Sequence, residues 1–183
     1  WELAKEEIPI YEPPLRDSGK EVQAVATDGF GLEEIFLEFI NKTKHEMMIG
    51  TPYFIPTKPI IEALEKAIER GVNIKLLVPL KADHPFVKEA GIPYYFRLKN
   101  KGAEVKLFHQ GFFHGKIFIL DDKLCDIGTA NFDPRSFYWN KEVNIMMYDK
   151  TFIHEVKKAF LKDFHDSMDV SEKWWKQLSW WTK

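Results

Sequence analysis

An α/β domain, with helices covering a mostly buried sheet, is the fold class this sequence predicts. Apolar runs of strand length alternate with stretches of helical period from residue 21 onward, and 45% of the 183 residues are hydrophobic, enough for one well-buried core but short for two. Residues 1–20, WELAKEEIPIYEPPLRDSGK, carry three prolines and mixed charge without a period, and read as a linker or a segment lying on another surface. EVQAVAT then reads as a first strand. GLEEIFLEFINKTKH places Leu32, Ile35, Phe36, Phe39 and Ile40 on one helical stripe. EMMIGTPYF follows as a strand. KPIIEALEKAIERG follows as a helix with Ile60, Ile61, Leu64 and Ile68 inward and Gly71 as its stop, and VNIKLLVP as the next strand. Residues 84–100 read as a helix interrupted at Pro93. AEVKLFH, GKIFIL, KLCDIG and NKEVNIMMY read as four strands, and TFIHEVKKAFLKDFHDSM as a closing helix. The domain is expected over residues 21–168, followed by a Trp-rich amphipathic tail at 169–183.

Composition narrows the function classes. The formal net charge of -2 gives no global attraction for nucleic acid, and none is expected as a partner. The single cysteine, Cys125, lies in an apolar run and reads as a small buried hydrophobe, which fits a reducing compartment. No apolar run approaches the ~18 residues of a membrane span, and no signal-like segment opens the chain. The chain opens at Trp1 rather than at a methionine and ends in SEKWWKQLSWWTK, so a piece cut from a longer protein is expected. In that tail Trp174, Trp175, Leu178 and Trp181 fall near one helical face beside Lys173 and Lys176, a pattern that suits a membrane interface or a docking surface for a further domain.

The segment FFHGKIFILDDKLCDIGTAN concentrates chemistry. In an extended chain His114 and Lys116 share one face while Gly115, Ile117 and Ile119 take the other. The aspartate pair with Lys123 is turn material, so the segment is expected to fold back as a hairpin. A turn near residues 122 and 123 pairs Lys116 with about Thr129 and His114 with about Asn131, which returns a hydroxyl and an amide to the imidazole and the ammonium. Seven residues of strand put Asp121 roughly 20 Å from His114, so it reads as a turn carboxylate rather than a partner of that ring. Glu142, on a strand that can lie beside the hairpin, is the acid expected to support His114. Lys116 and Asn131 can donate to phosphoryl oxygens, and histidine can attack phosphorus or protonate a leaving alkoxide. The spare histidines show no metal-ligand grouping, and neither a metal nor a cofactor is expected. Tyr53, Phe54, Phe112 and Phe113 flank the region, as core residues or as the lining of an acyl channel. Arg135 follows the motif, as a second phosphate contact or in a structural ion pair.

His114, Lys116, Asp121, Gly128, Thr129 and Asn131 together match the H-x-K-x4-D-x6-G-T-x-N pattern, and the chain resembles the phospholipase D superfamily. The neighbouring GTANFDPRSFYWNKEVN, with TPYFIP at 51–56 and DHPFV at 83–87, is similar to the second such region of bacterial cardiolipin synthases. The resemblance, over residues 21–170, implies a mixed sheet flanked by helices on both faces, one half of a pseudo-twofold pair in which each half gives its histidine, lysine and asparagine to one central site. It implies metal-free catalysis through a phosphatidyl-histidine. His114 then serves as acid and later base, because in two-copy members the first copy commonly attacks. It also gives Glu142, Thr129 and Gly128 supporting places. The implied substrate is phosphatidylglycerol as donor and acceptor, giving cardiolipin and glycerol at the cytoplasmic side of the cell membrane.

The pattern occurs once. None of His45, His84, His109, His154 and His165 is followed two residues later by lysine. A second copy is therefore expected upstream in a longer chain or in a second identical chain, and the single half is expected to be inactive or very weak alone. Two rivals stand beside this reading: a homodimeric phospholipase D-like phosphodiesterase or nuclease, and a noncatalytic module that binds lipid headgroups.

Overall fold

A mixed eight-stranded sheet carries the fold, in the spatial order β1 (Val22–Asp28), β7 (Lys141–Met147), β6 (Leu124–Gly128), β5 (Ile117–Leu120), β2 (Glu46–Gly50), β3 (Asn73–Pro79), β4 (Glu104–Phe108) and β8 (Met168–Asp169). The structure, a computed structural model, describes residues 19–81 and 85–171. Most of the predicted linker, residues 83–84 of DHPFV and all four of the aligned apolar tail residues therefore lie outside the described residues.

The first half of the sheet is parallel, with β2 (Glu46–Gly50) beside β3 (Asn73–Pro79) and β3 beside β4 (Glu104–Phe108). Parallel neighbours need long crossovers, and α2 (Lys58–Glu69) and α3 (Pro85–Lys101) supply them. The second half is antiparallel. It comprises β5 (Ile117–Leu120), β6 (Leu124–Gly128), β7 (Lys141–Met147) and the edge strand β1 (Val22–Asp28). β5 returns against β2 and joins the two halves.

Side-chain alternation sorts the core into two layers. On one face Phe118, Leu120, Leu124 and Met146 pack with α1 (Leu32–Lys42), α2 and α3. On the other, Met48, Leu77, Ile119 and Cys125 pack with α5 (Lys150–His165) through Ile153, Phe160 and Phe164. Helices on both faces of a mixed sheet are the architecture that the phospholipase D resemblance implies, and they agree with the α/β class read from the alternation of elements. The helical stripes agree in detail: Leu32, Phe36, Ile40, Ile60, Ile61 and Leu64 are buried, and Ile35, Phe39 and Ile68 pack at their margins. Cys125 is buried and free, and burial pushes its thiol up to about 12.

Four details differ from expectation. α3 runs through Pro93 without interruption, because the ring sits on the exposed side while Ile92, Tyr95 and Leu98 anchor the opposite stripe. The second strand stops at Gly50, and Phe54 rejoins only as a single bridge to Phe132. A short helix, α4 (Pro134–Tyr138), follows the motif; Asp133 caps it by accepting from the Ser136 N–H at 2.9 Å. The Asp-Pro pair was its available signal. A two-residue strand, β8 (Met168–Asp169), closes the far edge against β4.

Candidate active site

The hairpin β5–β6 exists, but its register is one residue tighter than the spacing suggested. Leu120 pairs with Leu124 and Ile117 with Ile127, and the Gly128 N–H donates to the Lys116 carbonyl at 3.3 Å. The cause is a three-residue turn. Asp121 and Asp122 both take the left-handed conformation, at φ 49° and 51°, and the Lys123 N–H closes on the Leu120 carbonyl at 2.9 Å. Lys116 thus faces Gly128 instead of Thr129, while His114, Lys116, Thr129 and Asn131 all leave the hairpin at its open end.

Each outward residue there is aimed by an inward neighbour. Phe113 is buried between Phe108, 5.7 Å away centroid to centroid, and the bare face of Gly50, where a Cβ would stand 2.8 Å from the Phe113 ring. That anchor turns His114 outward, and the exposed Phe112 ring stacks on the imidazole at 5.4 Å. The Lys116 Nζ lies 3.2 Å from His114 Nδ1, 3.1 Å from Nε2 and 3.0 Å from the His114 carbonyl. In the neutral ring one of those nitrogens can accept its proton. The pair is therefore a compact donor cluster beside a nucleophilic or basic nitrogen.

On the other arm Ala130 and Phe132 are buried, so Thr129 and Asn131 point away from the core. Phe132 is gripped by Phe36, Phe118 and Phe137 at 5.2–6.3 Å. Its carbonyl accepts from the Ile55 N–H at 2.9 Å. The Asn131 N–H donates to the buried Ser136 Oγ at 2.9 Å, which ties the asparagine to α4. Its Oδ1 is buried and has no hydrogen-bond partner among the described residues. A side chain at residue 128 would collide with the Asn144 amide and the Val143 carbonyl at 2.6 Å, so glycine is required there.

Glu142 is buried on β7, and its carboxylate accepts from the Thr129 hydroxyl and from Asn140 Nδ2 at 3.1 Å. Among the described residues no hydrogen bond joins it to His114. Thr129 is held further by its own N–H to the Val143 carbonyl at 3.0 Å and by the Val143 N–H to its hydroxyl at 2.9 Å. Glu142 thus braces the Thr129–Asn131 arm. Asp121, at the closed end, accepts from the N–H groups of Lys44, His45 and Glu46 at 2.8, 2.8 and 2.9 Å. Partial burial raises its carboxyl, but those three donors, with the His45 charge, outweigh it and hold the carboxyl below the usual range.

Sequence reasoning passed over one acid beneath the site. Asp126 is buried on the face of β6 shared with Phe118, and burial pushes its carboxyl up to about 7 against the lowering effect of Asn144, whose Nδ2 donates at 2.6 Å. Asp126 Oδ1 and Asn144 Oδ1 are both buried without partners among the described residues. An aspartate within the apolar run LCDIG was the signal. Beside Asn131 a cavity of about 560 Å³ opens between Tyr53, Ile55, Phe86 and Arg135.

Comparison with known proteins gives one consistent result. The family model described as "Cardiolipin synthase, PLD-like domain" matches residues 36–164. The minor cardiolipin synthase ClsB of Bacillus subtilis is 43% identical over 155 residues, covering 85% of this chain and 39% of that protein. A cardiolipin synthase of Listeria welshimeri is 32% identical over 180 residues, covering 96% of this chain and 37% of its own length. The chain thus spans well under half of the curated relatives it matches. Among solved structures, the phospholipase D family member Nuc of Salmonella typhimurium superposes with a TM-score of 0.71 at 18% identity, over 83% of this chain and 99% of that one, which shows a shared fold. With the family model and a 43% identical relative both spanning most of its length, the chain belongs to the phospholipase D-like domain family of cardiolipin synthases.

Proposed function

We propose that the chain is one catalytic half of a cardiolipin synthase-like phosphatidyltransferase, acting on phosphatidylglycerol at the cytoplasmic side of the cell membrane. The observation that carries this reading is the cluster at the open end of the hairpin. His114 and Lys116 lie 3.1 Å apart there, on the arm facing the braced Thr129 and Asn131. No helix among the described residues is long and apolar enough to cross a membrane, which agrees with a domain that meets lipid from the surface.

In the proposed reaction the histidine of a second copy attacks the phosphorus of one phosphatidylglycerol. The new P–N bond forms as the P–O bond to the headgroup glycerol breaks, and His114 protonates that leaving oxygen. Lys116 and Asn131 steady the charge on the phosphoryl oxygens. A hydroxyl of a second phosphatidylglycerol then gives its proton to His114 and attacks phosphorus, the P–N bond breaks, and cardiolipin leaves. The second copy comes from a further segment of the same protein or from a second identical chain. Coverage of only 39% and 37% of the two synthases supports the first source.

The test is cardiolipin formation from phosphatidylglycerol vesicles by the full encoded protein. We expect product, and its loss in His114→Ala by at least about 10²-fold. No product in the wild type, or undiminished product in the variant, defeats the reading. Headgroup binding retained without any turnover would identify a binding module instead. The 99% coverage of Nuc favours, as a second reading, a single-copy chain working as a homodimeric phosphodiesterase. Sedimentation equilibrium decides that one, since a monomer at every concentration removes it.

A further inference from the structure

The donor phosphate accounts for His114, Lys116 and Asn131, but not for the 560 Å³ cavity that Asn131 also lines. Its walls are amphipathic. Ile55, Val87 and the exposed Phe86 are apolar, and Arg135 supplies a guanidinium.

The arginine is distinctive among those described. Arg97 is spent on Glu65 at 2.7 and 2.8 Å, and Arg70 on the Ile40 carbonyl at 2.9 Å. Arg135 is exposed and makes no ion pair or side-chain hydrogen bond among the described residues. Asp133 also lines the cavity and lies within electrostatic reach of Arg135, but its carboxylate accepts from backbone N–H groups, that of Ser136 at 2.9 Å and that of Arg135, and forms no ion pair with the guanidinium. The backbone of Arg135 is nevertheless fixed. Its carbonyl accepts from the N–H groups of Trp139 at 3.0 Å and Asn140 at 2.8 Å, and Pro134 precedes it in a capped turn. A planar cation whose donors meet no acceptor among the described residues, on a rigid base beside apolar walls, suits a phosphodiester that carries an apolar body.

We propose that this cavity is the acceptor site: Arg135 pairs with the phosphodiester of the acceptor glycerophospholipid, leaving that lipid's free glycerol hydroxyl directed toward Asn131 and His114. The assignment rests on the phosphatidyltransferase reading above. In that reaction the acceptor brings its own phosphate, joined by a three-carbon bridge to the hydroxyl that attacks. Asn131 and Arg135 line one cavity, so a lipid seated there is offered both the arginine and the asparagine. Water and simple alcohols carry no phosphate and would not use Arg135.

That difference supplies the test. The full encoded protein is given phosphatidylglycerol vesicles with and without ethanol, and cardiolipin, phosphatidylethanol and phosphatidic acid are measured for wild type, Arg135→Gln and Arg135→Lys. Loss of one charge-assisted pair to phosphate predicts cardiolipin formation about 10–100-fold lower in Arg135→Gln, with Arg135→Lys between it and wild type. Phosphatidylethanol formation should change by less than roughly threefold, since that route shares the donor step only. A parallel fall of both products in Arg135→Gln overturns the assignment, as does an unchanged cardiolipin rate. Either result, obtained with an active wild type, leaves the parent reading standing. A wild type that makes phosphatidylethanol but no cardiolipin overturns both.

Discussion

Replacing Asp121 by alanine should unfold the domain far more readily while leaving the chemistry of the surviving folded molecules intact. The carboxylate accepts three backbone N–H groups at the start of β2 and so ties the hairpin turn to the neighbouring strand. A hydrogen bond to a charged acceptor contributes about 1.5–3 kcal/mol, but Lys44 and His45 are exposed and water can replace their share, so the three together come to about 2–4 kcal/mol. Alanine at φ 49° adds about 1 kcal/mol of backbone strain. The expected loss is about 3–5 kcal/mol for Asp121→Ala. For Asp121→Asn, which tolerates the left-handed turn and keeps one acceptor, it is about 1–2 kcal/mol. With a urea slope of about 2–3 kcal/mol/M, the alanine midpoint falls by about 1–2.5 M. The folded carboxyl lies below its unfolded value, so this contribution is present above the unfolded pKa near 3.9 and fades as pH falls through the folded one. The wild-type midpoint should therefore drop in acid more steeply than that of Asp121→Asn. An alanine variant within about 0.5 kcal/mol of wild type would refute the clamp. A stable Asp121→Asn with activity lost by orders of magnitude would refute the separation of Asp121 from the reacting groups.

Further outcomes follow from the same geometry. Asp126 has a carboxyl raised by burial to about 7, so the folded state holds a proton that the unfolded chain releases near 3.9. Stability should fall by roughly 2–4 kcal/mol as pH rises from about 4 to 7, and Asp126→Asn should flatten that slope in urea titrations. Ser136→Ala removes the acceptor of the Asn131 N–H and should cost about 1–3 kcal/mol in thermal unfolding, with kcat falling more than the folded fraction explains. Gly128→Ala drives a Cβ to 2.6 Å from the Val143 carbonyl, and should cost about 1–3 kcal/mol or more by calorimetry.

How much of this was legible in the sequence depended on whether the controlling interaction was local. Strand and helix positions come from side-chain period, and α1, α2, β3, β4 and β7 fall within three residues of the expected bounds at either end. The turn was harder. Two successive left-handed aspartates make it three residues long, and that choice moves every pairing by one. The partners of Glu142 were harder still. After Gly128 the chain leaves the ladder and bends so that the Thr129 hydroxyl meets β7, and no period encodes a bend of that kind. Ser136 and Arg135 lie on a helix of five residues, too short to carry a hydrophobic stripe, so only the Asp-Pro start announced it.

The motif's spacing is itself a structural ruler, and that gives a last prediction. The four residues between Lys116 and Asp121 are β5 entire, and the six between Asp121 and Gly128 are the rest of the turn and most of β6. A residue inserted within Ile117–Leu120 reverses the faces of everything on one side of it. Either Phe118 leaves the layer it shares with Phe36 and Phe132, or the arm bearing His114 turns over and Phe113 loses its seat on Gly50. Both Phe118 and Ile119 are about 1% exposed, so neither face can take the exchange without burying the wrong shape, at about 3–5 kcal/mol for a displaced phenylalanine. A residue inserted between Asp122 and Lys123, both exposed, meets no such layer and should cost about 1 kcal/mol or less, as lengthening a loop does. Urea midpoints of the two insertions should therefore differ by about 1 M or more. Equal losses would mean that the spacing serves the chemistry directly and not the packing of the hairpin that delivers it.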